Sequence, residues 1–273
     1  MALVVNTNLF SMTAQKNMAV HSEKLAGSFA KLSSGLRIVT AADDAAGLGI
    51  SERMRAEIRS LNMAQRNAQD GVSLVQTAEG ALAEVSSNLV RMRELAIQSA
   101  NGTLSDADRL SLDAEFQALM SEIDRVAQDS SFNGTSLLDG SSPSIDIQVG
   151  VDSGEVITIT TADMQTTNLG INGLDITQAA NATALLVSMD SAIDDVVSQR
   201  GDFGAAQNRM QSAMRSIATS AENLSGAESR IRDVDVAAET AELTKNRILQ
   251  QAASSVLAQA NTQPQLAMSL LQG

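Results

Sequence analysis

Apolar side chains recur between residues 58 and 96 at Ile58, Leu61, Ala64, Ala68, Val72, Val75, Ala78, Leu82, Val85, Leu89, Met92 and Ala96, with polar residues between them. The mean step is about 3.5 residues, the period of a seam by which one helix packs along another. It predicts a helix over about residues 57–100, a rod of roughly 60 Å at 1.5 Å per residue. Asn101-Gly102 supplies its stop. Ser105 starts a second helix over about 105–129. Its hydroxyl can cap the first turn, where Asp106 and Asp108 meet the positive end of the helix dipole. The seam Leu112, Phe116, Leu119, Ile123, Val126 repeats the spacing, and the short connection makes the two helices antiparallel neighbours. A third helix over about 178–227 carries the strictest heptad: Leu186, Met189, Ile193, Val196, Arg200, Phe203, Gln207, Met210, Met214, Ile217, Ala221 and Leu224.

From 130 to 175 the texture changes to Ser, Gly, Asp and Asn with short β-branched runs. Ile145, Ile147 and Val149 alternate with polar residues or glycine, Asp152-Ser153-Gly154 turns the chain, and Val156, Ile157, Thr158, Ile159 follow. This predicts a β-hairpin over about 144–160, too small to stand alone and so laid against the helices.

The two ends are different again. Residues 4–32 hold Met18, Leu25, Phe29 and Leu32 at helical spacing, and residues 243–260 hold Leu249, Ala253, Val256 and Ala260, both among many Asn, Gln, Ser and Thr. Neither has enough apolar face to be stable alone, so each is expected to become helical on finding a partner, whether the other end or the same segments of neighbouring subunits.

Composition narrows the function. The chain has 273 residues, 44% of them apolar, with five Phe and no Trp or Tyr, which suits thin helix-on-helix packing of aliphatic side chains. Two prolines leave long helices almost uninterrupted. Zero cysteines exclude disulfides, thiolate metal sites and cysteine nucleophiles. The net charge of −13 argues against nucleic acid, and no stretch is apolar enough for membrane insertion or reads as a general secretory signal. Residues 101–200 hold 3 bases and 16 acids, whereas residues 1–100 hold 10 and 9 and residues 201–273 hold 6 and 7. Balanced ends are what segments packed closely against copies of themselves need, and the acidic middle reads equally well as a plain solvated surface.

Catalytic constellations are hard to build from these residues. The sole histidine, His21, has no second His or Cys for a metal site. Gly47-Leu48-Gly49 lacks the preceding strand, third glycine and following Lys-Ser/Thr of a phosphate loop and is expected to be a flexible hinge. Asp43-Asp44 and Asp194-Asp195 point about 100° apart on a helix and do not converge on one substrate. No catalytic, cofactor-binding or metal residue is expected, and the chain reads as a structural protein.

Long strings at both ends carry a family resemblance. Lys31-Leu32-Ser33-Ser34-Gly35-Leu36-Arg37-Ile38, Asp43-Asp44-Ala45-Ala46-Gly47, Arg66-Asn67-Ala68-Gln69-Asp70-Gly71 and Gln76-Thr77-Ala78-Glu79-Gly80-Ala81-Leu82 resemble the N-terminal half of bacterial flagellins. Ser229-Arg230-Ile231-Arg232-Asp233-Val234-Asp235, Ile248-Leu249-Gln250-Gln251-Ala252 and Ser255-Val256-Leu257-Ala258-Gln259-Ala260-Asn261, with Pro264-Gln265 and Ser269-Leu270-Leu271, resemble the C-terminal side. The resemblance implies a mainly α fold: a long antiparallel coiled-coil rod with a small β-hairpin, and terminal helices pairing as a second coiled coil. It sorts residues 1–44 and 231–273 into an inner core and 45–230 into an outer-core rod. The variable outer domains of larger flagellins are missing, since only residues 161–177 join the hairpin to the third helix.

By the same resemblance the chain is a self-assembling subunit of the flagellar filament, secreted and extracellular, serving motility. A hook-filament junction protein is the alternative. A metalloprotease insertion, found in some flagellins, is excluded by the single histidine. The residues implied are the polymerisation seams Leu25, Phe29, Leu32, Leu249 and Val256 and the hinge Gly35, Gly47 and Gly49. The implied partners are copies of the chain, the flagellar export apparatus with its chaperone, and the filament cap and hook-junction proteins. Arg91, Leu95 and Glu115 resemble the segment by which many flagellins engage a vertebrate innate receptor.

Overall fold

In a computed structural model the backbone is described for residues 7–271 and the side chains for residues 7–262. Five helices dominate: α1 (Leu9–Ser34), α2 (Ala45–Ser99), α3 (Asp106–Asp129), α4 (Ala179–Arg232) and α5 (Val236–Leu271). Two antiparallel hairpins lie between α3 and α4: β1 (Ser131–Phe132) with β2 (Thr135–Ser136), and β3 (Ser144–Gln148) with β4 (Val156–Thr160). The mainly helical fold with a small hairpin is the expected one, and α2 and α4 extend beyond the predicted ends, to Ala45 and Arg232.

The chain divides into two compact units, one formed by residues 57–222 and the other by residues 1–56 with 223–273. These divisions fall inside α2 and α4, whereas the sequence placed the boundaries near 44 and 231.

In the unit of residues 57–222 the predicted seam of α2 is the core. Every member from Leu61 to Ala96 is buried, and Ile58 is half-buried. Arg93 pairs with Asp190 at 2.7 Å and Arg200 with Glu79 at 2.7 Å, so residue numbers rise on α2 as they fall on α4 and the two run antiparallel. Phe116, Met120, Ile123 and Ala127 of α3 join the core. Ser105 and Asp108 form a reciprocal capping box at the start of α3.

The hairpin β3–β4 turns Ile157 and Ile159 inward, and Asn67 of α2 donates to the Gln148 carbonyl at 3.1 Å. The connection to α4 is tied to α3: the Asp124 carboxylate accepts from the Thr166 amide at 2.7 Å, and Asp113 accepts from the Ile176 amide at 2.9 Å. The small β1–β2 ladder turns at Asn133 (φ 49°) and Gly134 (φ 80°), the left-handed pair that a two-residue hairpin requires.

Candidate assembly surfaces

The other unit is built around the antiparallel pair α1 and α5. Asn8 caps α1 by accepting from the Ser11 amide, and its Nδ2 donates to the Ala260 carbonyl at 2.7 Å. Ser11 Oγ lies 2.8 Å from Asn261 Oδ1. The inward face of α1 is Ser11, Ala14, Met18, His21, Leu25, Ser28 and Leu32, buried or half-buried at alternating three- and four-residue steps; α5 answers with Asn246, Leu249, Ala253, Leu257 and Ala260. The terminal helices therefore pair as a second coiled coil.

This seam is thin. Among the described side chains of the unit, Ala14, Ile38 and Ala260 are the fully buried apolar ones, accompanied by the polar Ser11, Ser28, Ser51, Arg232 and Asn246. Much of its apolar surface faces outward. Phe29 is 66% exposed and Val256 58%, and Leu9, Phe10, Met12, Val20, Val236 and Ile248 are exposed as well. Of the five seam residues expected from sequence, Leu25, Leu32 and Leu249 lie half-buried on the faces that α1 and α5 present to each other. Phe29 and Val256 lie outside that seam.

The turns at one end of the pair are clasped together. Gly35 ends α1 in the left-handed conformation (φ 72°), a position that favours glycine. The Val234 amide donates to the Gly35 carbonyl at 3.1 Å and the Arg37 amide to the Arg232 carbonyl at 2.6 Å, forming an isolated bridge between Leu36 and Asp233. Arg37 Nη2 also donates to the Ile231 carbonyl at 2.5 Å, and the buried Arg232 reaches Glu52 on α2 at 2.5 Å.

The expected hinge of Gly35 to Gly49 takes a different form. Gly35 is a fastened turn, and Gly47 and Gly49 lie in the opening turns of α2. Asp44 caps that helix by accepting from the Gly47 amide at 2.8 Å. A Cβ on Gly47 would come within 2.4 Å of the Asp44 carboxylate and 2.8 Å of Ile38 Cδ1, so this glycine serves close packing rather than flexibility. Asp43, with its carboxyl held below the usual range by the backbone amide and then the hydroxyl of Thr40, organises the intervening turn.

Within residues 57–222, Arg91 and Glu115 form an ion pair at 2.8 Å that also draws in Glu94, and both are about half exposed. Leu95 is different. It is fully buried in the core among Met92, Phe116 and their neighbours, because it falls on the inward face of α2. The expected trio therefore offers two surface residues and not three. Among the described residues, no group of three or more His, Cys, Asp or Glu could hold a metal ion, and no helix is long and apolar enough to cross a membrane.

Comparison with known proteins places this arrangement. The family model for the bacterial flagellin N-terminal helical region matches residues 5–143, and that for the bacterial flagellin C-terminal helical region matches residues 186–271. The chain belongs to the bacterial flagellin family. It is 46% identical over 271 residues to a flagellin of Halalkalibacterium halodurans, covering 98% of this chain and all of the relative. It is 41% identical to the flagellar filament 30.7 kDa core protein of Treponema maltophilum, with coverage of 98% and 100%. The crystal structure of Bacillus cereus flagellin superposes with a TM-score of 0.52 at 35% identity, covering 60% of this chain and 94% of that one.

As a flagellin, the chain is a structural subunit of the flagellar filament, and the family is not a class of enzymes. The junction-protein alternative is not favoured. Sequence reasoning missed the clasp made by Arg37, Arg232 and Glu52. Arg37, Ile231, Arg232 and Asp233 all stand in the strings that carry the family resemblance, but nothing in their spacing pairs residues almost two hundred positions apart.

Proposed function

We propose that the chain enters the filament through the outward faces of the α1–α5 pair. The observation that carries this is the contrast within one unit between an inward seam whose fully buried members are small or polar (Ser11, Ala14, Ser28, Asn246 and Ala260) and the large exposed side chains Phe29, Val256, Leu9, Phe10, Val20 and Ile248. Fully burying a large apolar side chain stabilises by about 1.5–3 kcal/mol, and stacking of subunits makes that burial available. A contact between different faces of successive subunits, related by a rotation that does not close, propagates as a helical tube. On this reading residues 1–44 and 231–273 are the inner core of the filament and residues 45–230 its outer core.

The test is a seeded assembly assay on full-length Phe29→Ala, Val256→Ala and the double variant. Each should keep wild-type helical content while the concentration needed for growth rises, most in the double variant. Growth of the double variant at the wild-type concentration would falsify the role of these faces.

Delivery follows the family pattern: the subunit is secreted through the flagellar export apparatus with the help of a chaperone and added beneath the filament cap beyond the hook-junction proteins. Engagement of a vertebrate innate receptor, implied by resemblance alone, would rest on Arg91 and Glu115, with Leu95 supporting from the core. An Arg91→Ala, Glu115→Ala variant that stimulates receptor-bearing cells as strongly as wild type counts against it.

A further inference from the structure

We infer that Met12 is an oxidation site that gates polymerisation: a peroxide converts its thioether to the sulfoxide in the free subunit and so blocks packing of the α1 face, and packing in turn shields it. This rests on the role proposed above for the outward faces of α1 and α5.

The chain has no cysteine and 12 methionines, so thioethers are its only sulfur groups open to oxidation. Among the described residues only Met12, at 59%, and Met63, at 51%, are methionines with largely exposed side chains; Met92, Met120, Met164, Met189 and Met210 are buried. The two exposed ones stand in different settings.

Met12 shares a face of α1 with the exposed Leu9, one turn earlier. Where α1 and α5 are paired, the bonds from Asn8 to Ala260 and from Ser11 to Asn261 set this turn against α5 with Met12 facing outward. Met63 belongs to the other unit, and its neighbours three and four positions away on α2 are Arg59, Ser60, Arg66 and Asn67, with Arg66 Nη2 at 3.5 Å from its sulfur. A polar group at Met63 joins a polar surface. Met12 stands instead on α1, in the unit of the proposed assembly faces, beside the exposed Leu9 and with the polar Asn8, Gln15 and Lys16 as its other neighbours at those spacings.

The chemistry is a two-electron transfer. A sulfur lone pair attacks one peroxide oxygen, the S–O bond forms as the O–O bond breaks, and the departing hydroxide takes up a proton to leave as water. Sulfur is oxidised and the peroxide reduced. The side chain changes from flexible and apolar to polar and chiral, with an oxygen that must find a hydrogen-bond donor if neighbours bury it.

The experiment treats full-length monomer with hydrogen peroxide, maps sulfoxide at each methionine by peptide mass analysis, and measures the concentration required for seeded growth. Wild type, Met12→Leu and Met63→Leu are compared, leucine being close in size and inert to peroxide. Peroxide should raise the growth threshold of wild type and of Met63→Leu by about tenfold or more, and leave that of Met12→Leu within about twofold of its untreated value. In preformed filaments Met12 should oxidise at least about tenfold more slowly than in monomer, while Met63 serves as the internal reference. Equal loss of growth in peroxide-treated Met12→Leu and wild type overturns the inference, as does equally fast oxidation of Met12 in monomer and filament. Failure of untreated wild type to grow would count against the assembly reading itself, a separate result.

Discussion

Arg232 is buried while carrying a charge, and Glu52, the carboxylate that answers it at 2.5 Å, is about half exposed. The hydrogen bond from Arg232 is the largest of the influences that hold the Glu52 carboxyl below its usual range. A carboxyl lowered on folding stabilises the folded form at pH above the ordinary glutamate value, and that contribution is lost as pH falls through the lowered value. Acidification should therefore loosen the clasp, read as lower protection of the Arg37 and Val234 amides relative to their intrinsic exchange rates at each pH. Glu52→Gln should show the lower protection already at neutral pH and respond less to acid; a Glu52→Gln profile identical to wild type would remove the pair from this role.

The capping box is a second single-residue test. Ser105→Ala should cost about 1 kcal/mol in thermal unfolding, because the Asp108 amide loses its acceptor. Ser105 and its acidic first turn were legible from sequence because capping is local. The Arg232–Glu52 pair was not, because it depends on where two distant turns meet. Leu95 shows a third case: its side chain follows the core-facing periodicity of α2, and its assignment to a surface came from resemblance against that pattern.

At the scale of elements, α2 and the α1–α5 pair differ in what they bury. Every stripe member of α2 from Leu61 to Ala96 is buried, but the stripe passes over Leu74 and Leu95, which are buried as well. On α4 the expected frame caught Met189, Val196, Phe203, Met210 and Ile217 but passed over Ala182, Leu185, Ala192 and Ala206, which are buried too. A helix with neighbours on more than one side needs a band wider than a two-position heptad seam. The β1–β2 turn was signalled by Asn133-Gly134, but two-residue strands carry no alternation to read.

Truncating Phe203 to alanine should cost about 3–5 kcal/mol, measurable by chemical denaturation. The α1–α5 seam, with Ala14 and Ala260 as its fully buried apolar residues, should open far more readily than the core of residues 57–222. Hydrogen exchange in dilute monomer should therefore be fast over residues 9–34 and 236–262 and become slow in the filament. Equal protection of these segments in monomer and filament would contradict the coupling of their ordering to assembly.

For the whole molecule, charge is divided as sharply as burial. Residues 57–222 hold 9 basic and 23 acidic side chains, a net of −14, while the other unit holds 10 and 9, a net of +1. The unit with the proposed assembly faces is nearly neutral, and like charge on the acidic one opposes its approach to copies of itself. Salt should lower the growth threshold, because the screening length falls from about 30 Å at 0.01 M to about 8 Å at 0.15 M. A threshold independent of salt over that range would show that the acidic units do not oppose association.

One of the two units is assembled from segments far apart in sequence, since α1 finds its mate in α5 more than two hundred residues later. On the assembly reading proposed above, a chain that lacks α5 should not be incorporated. A product of premature termination or of proteolytic clipping after residue 230 retains α1 but lacks the strand of contacts from Asn246 to Ala260 that pairs with it. Such fragments, mixed with intact chains during growth, should stay in the supernatant and leave filament length unchanged. Their recovery in sedimented filaments in proportion to input would show that the growing end does not inspect its substrate in this way.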